Sequence, residues 1–212
     1  MQDCCQPGLR ERKRAATQLA IEEAAVDIAF EQGYEAATAE AIAAKAGVSL
    51  RTFFNYFTSK DTAIAGEGLR VSDRARAMEF LAKSEPHLLK GILRVFQQAD
   101  SESEPGPDLL LRRHVLFKRY PPLLHRHFTH VDVFETEVTQ IVAEYFAKEP
   151  ARRRLAGKVT ATEEARMAVT MVGAAIRHSM LCRRRPGVDA AKRAKTVERT
   201  LELMADFHEK AR

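Results

Sequence analysis

The segment AGVSLRTFFNYFTSK, residues 46–60, interleaves aromatic rings with side chains that donate hydrogen bonds. On a short helix over about 50–56, Phe53 and Phe57 share one face and can close a small core. The opposite side then presents guanidinium, hydroxyl and amide groups, which are the groups that contact bases and phosphates. A core helix would explain the rings alone, so the mixture indicates a helix that reads nucleic acid.

Two further predicted helices precede this one. The helix over about 15–32 ends at Gly33, and Thr38 caps a second helix over about 39–46. Ser49 then caps the third helix after a tight Gly-Val-Ser turn. Three helices of this kind, with the last two joined by a tight turn, have the layout of a helix-turn-helix DNA-binding domain.

From about residue 17 to 66 the chain is similar to the TetR family of bacterial transcriptional repressors. The segment AAVDIAFEQGYEAATAEAIAAKAGVSLRTFFNYFTSK resembles the family's Ala-Ala helix, Gly-aromatic turn, Thr-capped second helix, Ala-Gly-Val-Ser turn, aromatic third helix and terminal Ser-Lys. Two positions depart from this pattern. The aromatic residue before the turn is Phe30, one place later than usual, and Arg51 replaces a common glycine, which we interpret as a change of operator sequence.

The resemblance implies which side chains contact DNA. Thr38 would hold a phosphate from the cap of the second helix, and Tyr56 and Lys60 would also contact phosphates. The residues at the start of the third helix would meet the major groove, where Arg51 suits guanine. The implied DNA-binding residues are Thr38, Ser49, Leu50, Arg51, Thr52, Asn55, Tyr56 and Lys60.

The rest of the chain also has a helical pattern, which predicts an all-α protein of about nine helices. A fourth helix is predicted over about 60–83, although Gly66 and Gly68 weaken its first turns. The basic residues before the first helix either follow the DNA phosphates or form a solubilising tail. We expect a flexible basic arm over 1–14, a helix-turn-helix DNA-binding domain over 15–60, and a helical ligand-binding and dimerisation domain over 61–212.

The resemblance also implies that the second domain binds a small molecule and dimerises through its last two helices, although intrachain packing is the alternative use of the same stripes. Apolar and Met-rich helices with a few polar groups favour a lipophilic or aromatic effector. The ligand-binding candidates are His114, Phe117, Tyr120, Phe134, Met171, Ala175 and His178. The dimer-interface candidates are Val169, Gly173, Ile176, Val197, Leu201 and Met204.

The composition says more about where the protein is located than about what it does. The 212-residue chain carries a formal net charge of +5, but acidic and basic residues nearly balance over 1–60, so net charge does not mark a DNA-binding half. No apolar run approaches the roughly 18 residues of a membrane span, and the N-terminus has no signal-peptide core. The three cysteines form no disulfide framework. We therefore expect a cytoplasmic protein without a membrane partner.

The segment HRHFTH, residues 125–130, is the feature that most favours a different function, a helical metal-dependent sensor or enzyme. Its spacing matches no ligand set, and the chain shows no nucleophile–base motif, phosphate loop or paired carboxylates. We therefore predict no metal, no cofactor and no enzymatic activity. The predicted function is a dimeric repressor that binds a palindromic operator and is released by a small-molecule effector. The same fold acting as an activator, or without ligand response, is the alternative.

Overall fold

The computed structural model describes residues 9–66, 68–102, 106–181 and 190–209. Within these ranges the chain forms ten α-helices and two short 3₁₀ turns with no strand, so the predicted all-α class is confirmed. None of the described helices is long and apolar enough to cross a membrane. The helices are α1 (Leu9–Glu31), α2 (Ala39–Lys45), α3 (Leu50–Tyr56), α4 (Lys60–Ala65), α5 (Arg74–Lys83), α6 (Leu88–Glu102), α7 (Pro107–Arg119), α8 (Pro121–Lys148), α9 (Ala161–Leu181) and α10 (Ala190–Glu209).

The described residues divide into two compact units that do not follow the order of the sequence. The first unit takes its residues from 1–68 and 105–130, and the second takes them from 69–104 and 131–212. Helix α8 contributes residues to both units. The first unit therefore contains more than the helix-turn-helix segment, because α7 and the start of α8 join it from farther along the chain.

The core of the first unit is built from the apolar sides of α1, α2, α3, α4, α7 and the start of α8. Ile21 and Ile28 on α1, Phe53 on α3 and Ile64 on α4 are almost completely buried. Leu116 of α7 is buried in the same cluster. Helix α7 packs against α1 and so helps to close the core on which the helix-turn-helix rests.

The fourth helix is shorter than the sequence pattern predicted. Helix α4 ends at Ala65, and the chain passes through Gly66 and Gly68 with φ angles of 79° and 78° before α5 begins. A side chain would be strained at either position, and a Cβ at Gly68 would also lie only 2.7 Å from the Cβ of His130. The prediction of one continuous helix over 60–83 is therefore wrong, because two left-handed glycines interrupt it.

Two other helices begin earlier than predicted. Helix α1 starts at Leu9, so part of the expected flexible arm is helical, and residues 1–8 lie outside the described part of the chain. Helix α8 starts at Pro121, whereas the apolar stripe that begins at Val131 predicted a start near residue 131. Proline is tolerated in a first helical turn because the N–H that it lacks has no partner there. The His-rich segment 125–130 is consequently helical.

The second unit packs α5, α6, α8, α9 and α10 around an apolar cluster. Phe96 of α6 and Phe134 of α8 meet edge-on, with ring centroids 4.9 Å apart. Val172 of α9 and Val197 of α10 are buried in the same cluster. The helices thus bury one apolar side each, which is the arrangement that their amphipathic patterns indicate.

Candidate nucleic-acid interface

Hydrogen bonds at its N-terminus fix the start of α3. Ser49 is the N-cap: its hydroxyl accepts from the N–H of Thr52 at 3.0 Å, and the hydroxyls of the two residues lie 2.8 Å apart. The preceding turn passes through Gly47 with a φ of 68°, and the N–H of Val48 donates to the carbonyl of Ala43 at 3.0 Å. These bonds satisfy groups that a helix start leaves open, so the direction of α3 is set locally.

The residues of α3 form rows, because side chains four apart lie above one another on a helix. Phe53 is buried and anchors the helix to the core, together with the buried cap residue Phe57. The remaining residues point away from the core to different degrees. Thr52 and Tyr56 form a half-buried row, Arg51 and Asn55 form an exposed polar row, and Leu50 and Phe54 form an exposed apolar row.

The polar row has the chemistry to read base edges. A guanidinium such as that of Arg51 can form a bidentate contact with guanine, and an amide such as that of Asn55 can do the same with adenine. The hydroxyls of Thr52 and Tyr56, beside this row, are of the kind that contacts phosphate oxygens. The rows of α3 therefore combine groups for sequence reading with groups for backbone contact on one surface.

Thr38 caps α2 as the sequence predicted. Its side chain accepts from the N–H of Ala41 at 3.1 Å, and the residue is exposed. Because a hydroxyl both accepts and donates, Thr38 can still donate its proton to a phosphate oxygen. The predicted phosphate contact is thus compatible with the capping role.

Lys60, the first residue of α4, already has partners within the chain. Its Nζ donates to the carbonyl of Tyr34 at 3.0 Å, lies 3.5 Å from the carboxylate of Glu35, and sits 3.9 Å from the centroid of the Tyr34 ring. The Tyr34 hydroxyl donates to Asp61 at 2.5 Å. Burial, followed by this hydrogen bond, raises the pKa of Tyr34 to about 12. Lys60 therefore holds the turn before α2 against α4, and its phosphate contact stays a prediction.

The first turns of α1 bring cations beside α3. The guanidinium carbon of Arg14 lies 6.0 Å from the centroid of the Tyr56 ring. Arg10 and Lys13 are exposed on the same part of α1. Cations next to a reading helix favour contact with the phosphate backbone, so this position supports the interpretation of the basic segment as a DNA-contacting element.

Comparison with known proteins agrees with this geometry. Residues 21–62 match the family model described as "Bacterial regulatory proteins, tetR family". The HTH-type transcriptional regulator TcmR of Streptomyces glaucescens is similar to this chain, with 32% identity over 145 residues. Residues 21–62 therefore belong to the helix-turn-helix domain of the TetR family. The alignment covers 65% of this chain and 63% of the relative, so it spans less than two thirds of the relative's length.

The sequence pattern did not identify one residue on the exposed surface of α3. Phe54 is 53% exposed on α3, directly beside the predicted DNA-contacting residues. The signal that could have found it is its spacing of four residues from Leu50, which places both on one row. We predicted Phe53 and Phe57 as core and assigned no role to Phe54, which the structure leaves exposed.

The predicted ligand-binding residues are divided between the two units. Phe117 is buried in the core of the first unit, where its ring stacks on His127 at 4.7 Å, and Tyr120 stacks on Tyr34 at 5.1 Å. In the second unit, two of the candidates are buried in the core and two are exposed. The first unit contains His114, Phe117 and Tyr120, and the second contains Phe134, Met171, Ala175 and His178. Their assignment to a ligand site stays a prediction.

The predicted dimer-interface residues mostly pack inside the chain. Four of the six candidates are buried within their own chain. A buried residue offers no surface to a partner, so these four pack inside the chain. Ile176 is half-buried and Met204 is exposed. The buried ones are Val169, Gly173, Val197 and Leu201. Among the α9 and α10 side chains that the structure describes, the exposed large apolar ones are Met167, Met171, Leu203 and Met204.

A cavity of about 370 Å³, open to solvent, lies in the second unit. Met78 and Tyr145 line it, but so do the charged residues Glu85, Lys148 and Arg152. The Tyr145 hydroxyl donates to Glu85 at 2.7 Å. This lining is more polar than the predicted lipophilic or aromatic effector requires.

The His-rich segment has a structural explanation. His127 stacks on Phe117, and burial, reinforced by the nearby His130, His114 and Arg113, lowers the pKa of His127. Within the described part of the chain, no three His, Cys, Asp or Glu side chains lie close enough together to hold a metal ion.

Proposed function

We propose that this protein is a non-enzymatic transcriptional regulator that binds a palindromic operator as a homodimer, and that it acts in the cytoplasm as a repressor released by a small molecule. The observation that carries the proposal is the arrangement of α3. Its polar row of Arg51 and Asn55 is exposed, while Phe53 anchors the helix to the core of a TetR-family helix-turn-helix.

The surface residues divide into two groups with different roles in binding. Thr38, Thr52 and Tyr56 supply hydroxyls for phosphates, and the cations of α1 add charge. Such contacts give affinity that falls with salt but carry no sequence information. Arg51 and Asn55 supply the sequence preference, because base edges in the major groove differ in their donors and acceptors.

Dimerisation rests on the exposed apolar residues of α9 and α10. Met167 and Met171 lie on successive turns of α9, and Leu203 and Met204 are exposed on α10. A two-fold interface built on this surface would place two copies of α3 about one turn of DNA apart, or a multiple of it, on a palindrome. Met171→Glu should shift the protein toward monomer in analytical ultracentrifugation, whereas Thr136→Glu, at an exposed position on α8, should not.

Release by an effector requires that the small molecule bind a non-DNA-binding conformation more tightly. A tenfold loss of operator affinity needs about 1.4 kcal/mol of differential binding. The cavity beside Tyr145 is a candidate site because of its volume, and its charged lining favours a polar effector over the lipophilic one that the sequence predicted. The relative from Streptomyces glaucescens is named a transcriptional regulator, which supports a regulatory role for this chain as well.

The proposed DNA binding is tested by selection of sequences from random duplex DNA with the purified protein. We expect enrichment of a palindrome. Arg51→Ala should relax the choice of base at one position of each half-site, and Tyr56→Ala should weaken binding to all sequences about equally. Arg94→Ala, which removes an exposed guanidinium from α6 in the second unit, is the matched control and should change neither property.

The opposite results would count against the proposal. The protein is first freed of bound small molecules by unfolding and refolding. If it then enriches no sequence at low or moderate salt, the result would contradict DNA reading by α3. A reporter gene placed behind the selected palindrome then gives the sign of regulation: expression should rise when the protein is removed if it is a repressor, and fall if it is an activator.

A further inference from the structure

The apolar row of α3 lies outside the buried core of the first unit. Leu50 is 39% exposed and Phe54 is 53% exposed, although the same helix buries Phe53 completely. A single exposed apolar side chain is common on protein surfaces, but two large ones on successive turns of a seven-residue helix are a continuous apolar strip. This strip lies directly beside the polar row of Arg51 and Asn55.

Both members of the apolar row are held in position. The ring of Phe54 meets the ring of Phe53 edge-on, with centroids 5.2 Å apart and planes at 82°. Because Phe53 is fixed in the core, it limits the directions that Phe54 can take. Leu50 is the first residue of α3, directly after the N-cap Ser49, whose hydrogen bond to Thr52 fixes this turn. The apolar row is therefore preorganised rather than free to collapse onto the surface.

The major groove offers one apolar group to such a row. Among the four bases, only thymine presents a methyl group there, on its C5 atom. Phenylalanine and leucine carry no hydroxyl, so neither can donate to a phosphate oxygen as Tyr56 can. A half-site in which thymines lie next to the bases read by the polar row would cover the apolar row with their methyl groups.

We infer that Leu50 and Phe54 determine sequence specificity by contacting thymine methyl groups in each half-site. This inference rests on the proposed function, because it assigns a role within the same DNA-reading surface. Apolar contacts would then contribute to the choice of operator sequence. Thymine is selected at the contacted positions for its methyl group and not for its hydrogen-bonding edge.

The experiment replaces thymidine by deoxyuridine, one position at a time, in the duplex selected by the full-length protein. Deoxyuridine pairs like thymidine and lacks only the methyl group. We expect affinity to fall roughly fourfold at each contacted position, as burial of a methyl group predicts. Phe54→Ala should lower affinity for the thymine duplex, and should abolish the difference between thymine and uracil at one position. Leu50→Ala should abolish it at a neighbouring position.

The comparison of duplexes separates readout from a structural role. If Phe54 only supported the helix, Phe54→Ala would weaken binding of the thymine and uracil duplexes by the same factor, and the inference would fall. Val133→Ala is the matched control: it removes an exposed apolar side chain from α8 in the second unit, and should keep both the affinity and the full sensitivity to uracil. Phe54→Leu retains an apolar side chain and should keep part of the sensitivity to uracil. Circular dichroism melting confirms that each variant is folded.

Two failures are distinguishable. Unchanged affinity for every uracil-substituted duplex would overturn the reading of methyl groups and leave the proposed function standing. Absence of any enriched duplex would overturn both, because no DNA would then be bound through α3.

Discussion

Glu22 in the first unit and Glu164 in the second are both buried carboxylates, each 6% exposed, but they are bonded in different ways. Glu22 on α1 accepts from Arg113 on α7 at 2.5 Å, and Arg113 also donates to the carbonyl of Ile64 at the end of α4, at 2.8 Å. Glu164 on α9 accepts from the side chain of Arg153 and from nearby backbone N–H groups.

The two carboxylates therefore hold structures of different extent. The pair of Glu22 and Arg113 joins three helices that are far apart in the sequence, and the guanidinium of Arg113 also lies against Gly66 at the end of α4. Glu164 closes only the loop that precedes its own helix. Equal burial therefore does not predict an equal effect of mutation. The effect depends on how many helices the bonds of the carboxylate hold together.

The largest effect is expected for Arg113→Ala. Removing one partner leaves the buried charge of Glu22 uncompensated, which should lower the free energy of unfolding by about 3–5 kcal/mol, measured in urea. Operator binding should weaken as well, because α1, α4 and α7 lose their common tie. Arg112→Ala is the matched control: it breaks partly exposed pairs with Asp27 and Asp108 and should cost at most about 1 kcal/mol. Equal losses for the two variants would contradict the importance of burial here.

A smaller and more local effect is expected for Glu164→Ala. The N–H groups of Arg154 and Leu155 lose their acceptor, which should cost about 1–3 kcal/mol and speed hydrogen exchange at these amides. Glu164→Gln keeps a side-chain carbonyl and should lose less. Operator affinity should not change in either variant. Weakened DNA binding equal to that of Arg113→Ala would remove the distinction between the two carboxylates.

Two glycines sharpen the comparison between the units. Gly68 in the first unit and Gly157 in the second have nearly the same φ, 78° and 80°, but only Gly68 is crowded, by His130. Gly157→Ala should therefore cost only the strain of a left-handed alanine, about 1 kcal/mol. Gly68→Ala should cost more, because the chain near His130 must also move. Thermal unfolding of both variants measures the difference, and equal shifts would show that the contact with His130 yields freely.

The smallest effects concern pH, and they have opposite signs in the two units. Burial lowers the pKa of His127, so below about 6.5 the unfolded state binds more protons and stability falls as pH decreases. Burial raises the pKa of Glu135 against the opposing effect of Arg177, so stability falls as pH rises above 4.5. His127→Gln should reduce the loss of stability in acid, and Glu135→Gln should reduce the loss at higher pH. Urea unfolding at several pH values tests both predictions. If a variant has the same dependence of unfolding free energy on pH as the unmodified protein, the replaced residue is not the cause.

Local signals explain why the DNA-reading helices were predictable. Thr38 and Ser49 cap α2 and α3, as the sequence indicated, because a cap forms hydrogen bonds within three residues of itself. The break after α4 was less predictable. Gly66 and Gly68 weaken a helix without ending it, and the close approach of His130 comes from a residue distant in the sequence.

Burial was the part of the site that helical periodicity could not provide. An amphipathic stripe identifies an apolar side, but it does not identify what covers that side. Val169 and Leu201 were predicted at a dimer interface and are buried in their own chain, and Phe54, for which no role was predicted, is exposed. For the same reason, periodicity did not show that Phe117 lies in the first unit and Phe134 in the second.

The separation of anchors from readers on α3 has a consequence for the evolution and engineering of this protein. Phe53 and Phe57 hold the helix, while Leu50, Arg51, Phe54 and Asn55 face outward. Exposed positions usually tolerate replacement within about 0.5 kcal/mol of stability. A library that randomises these four codons should therefore yield mostly folded proteins, and new operator sequences can be acquired one substitution at a time without passing through an unfolded intermediate.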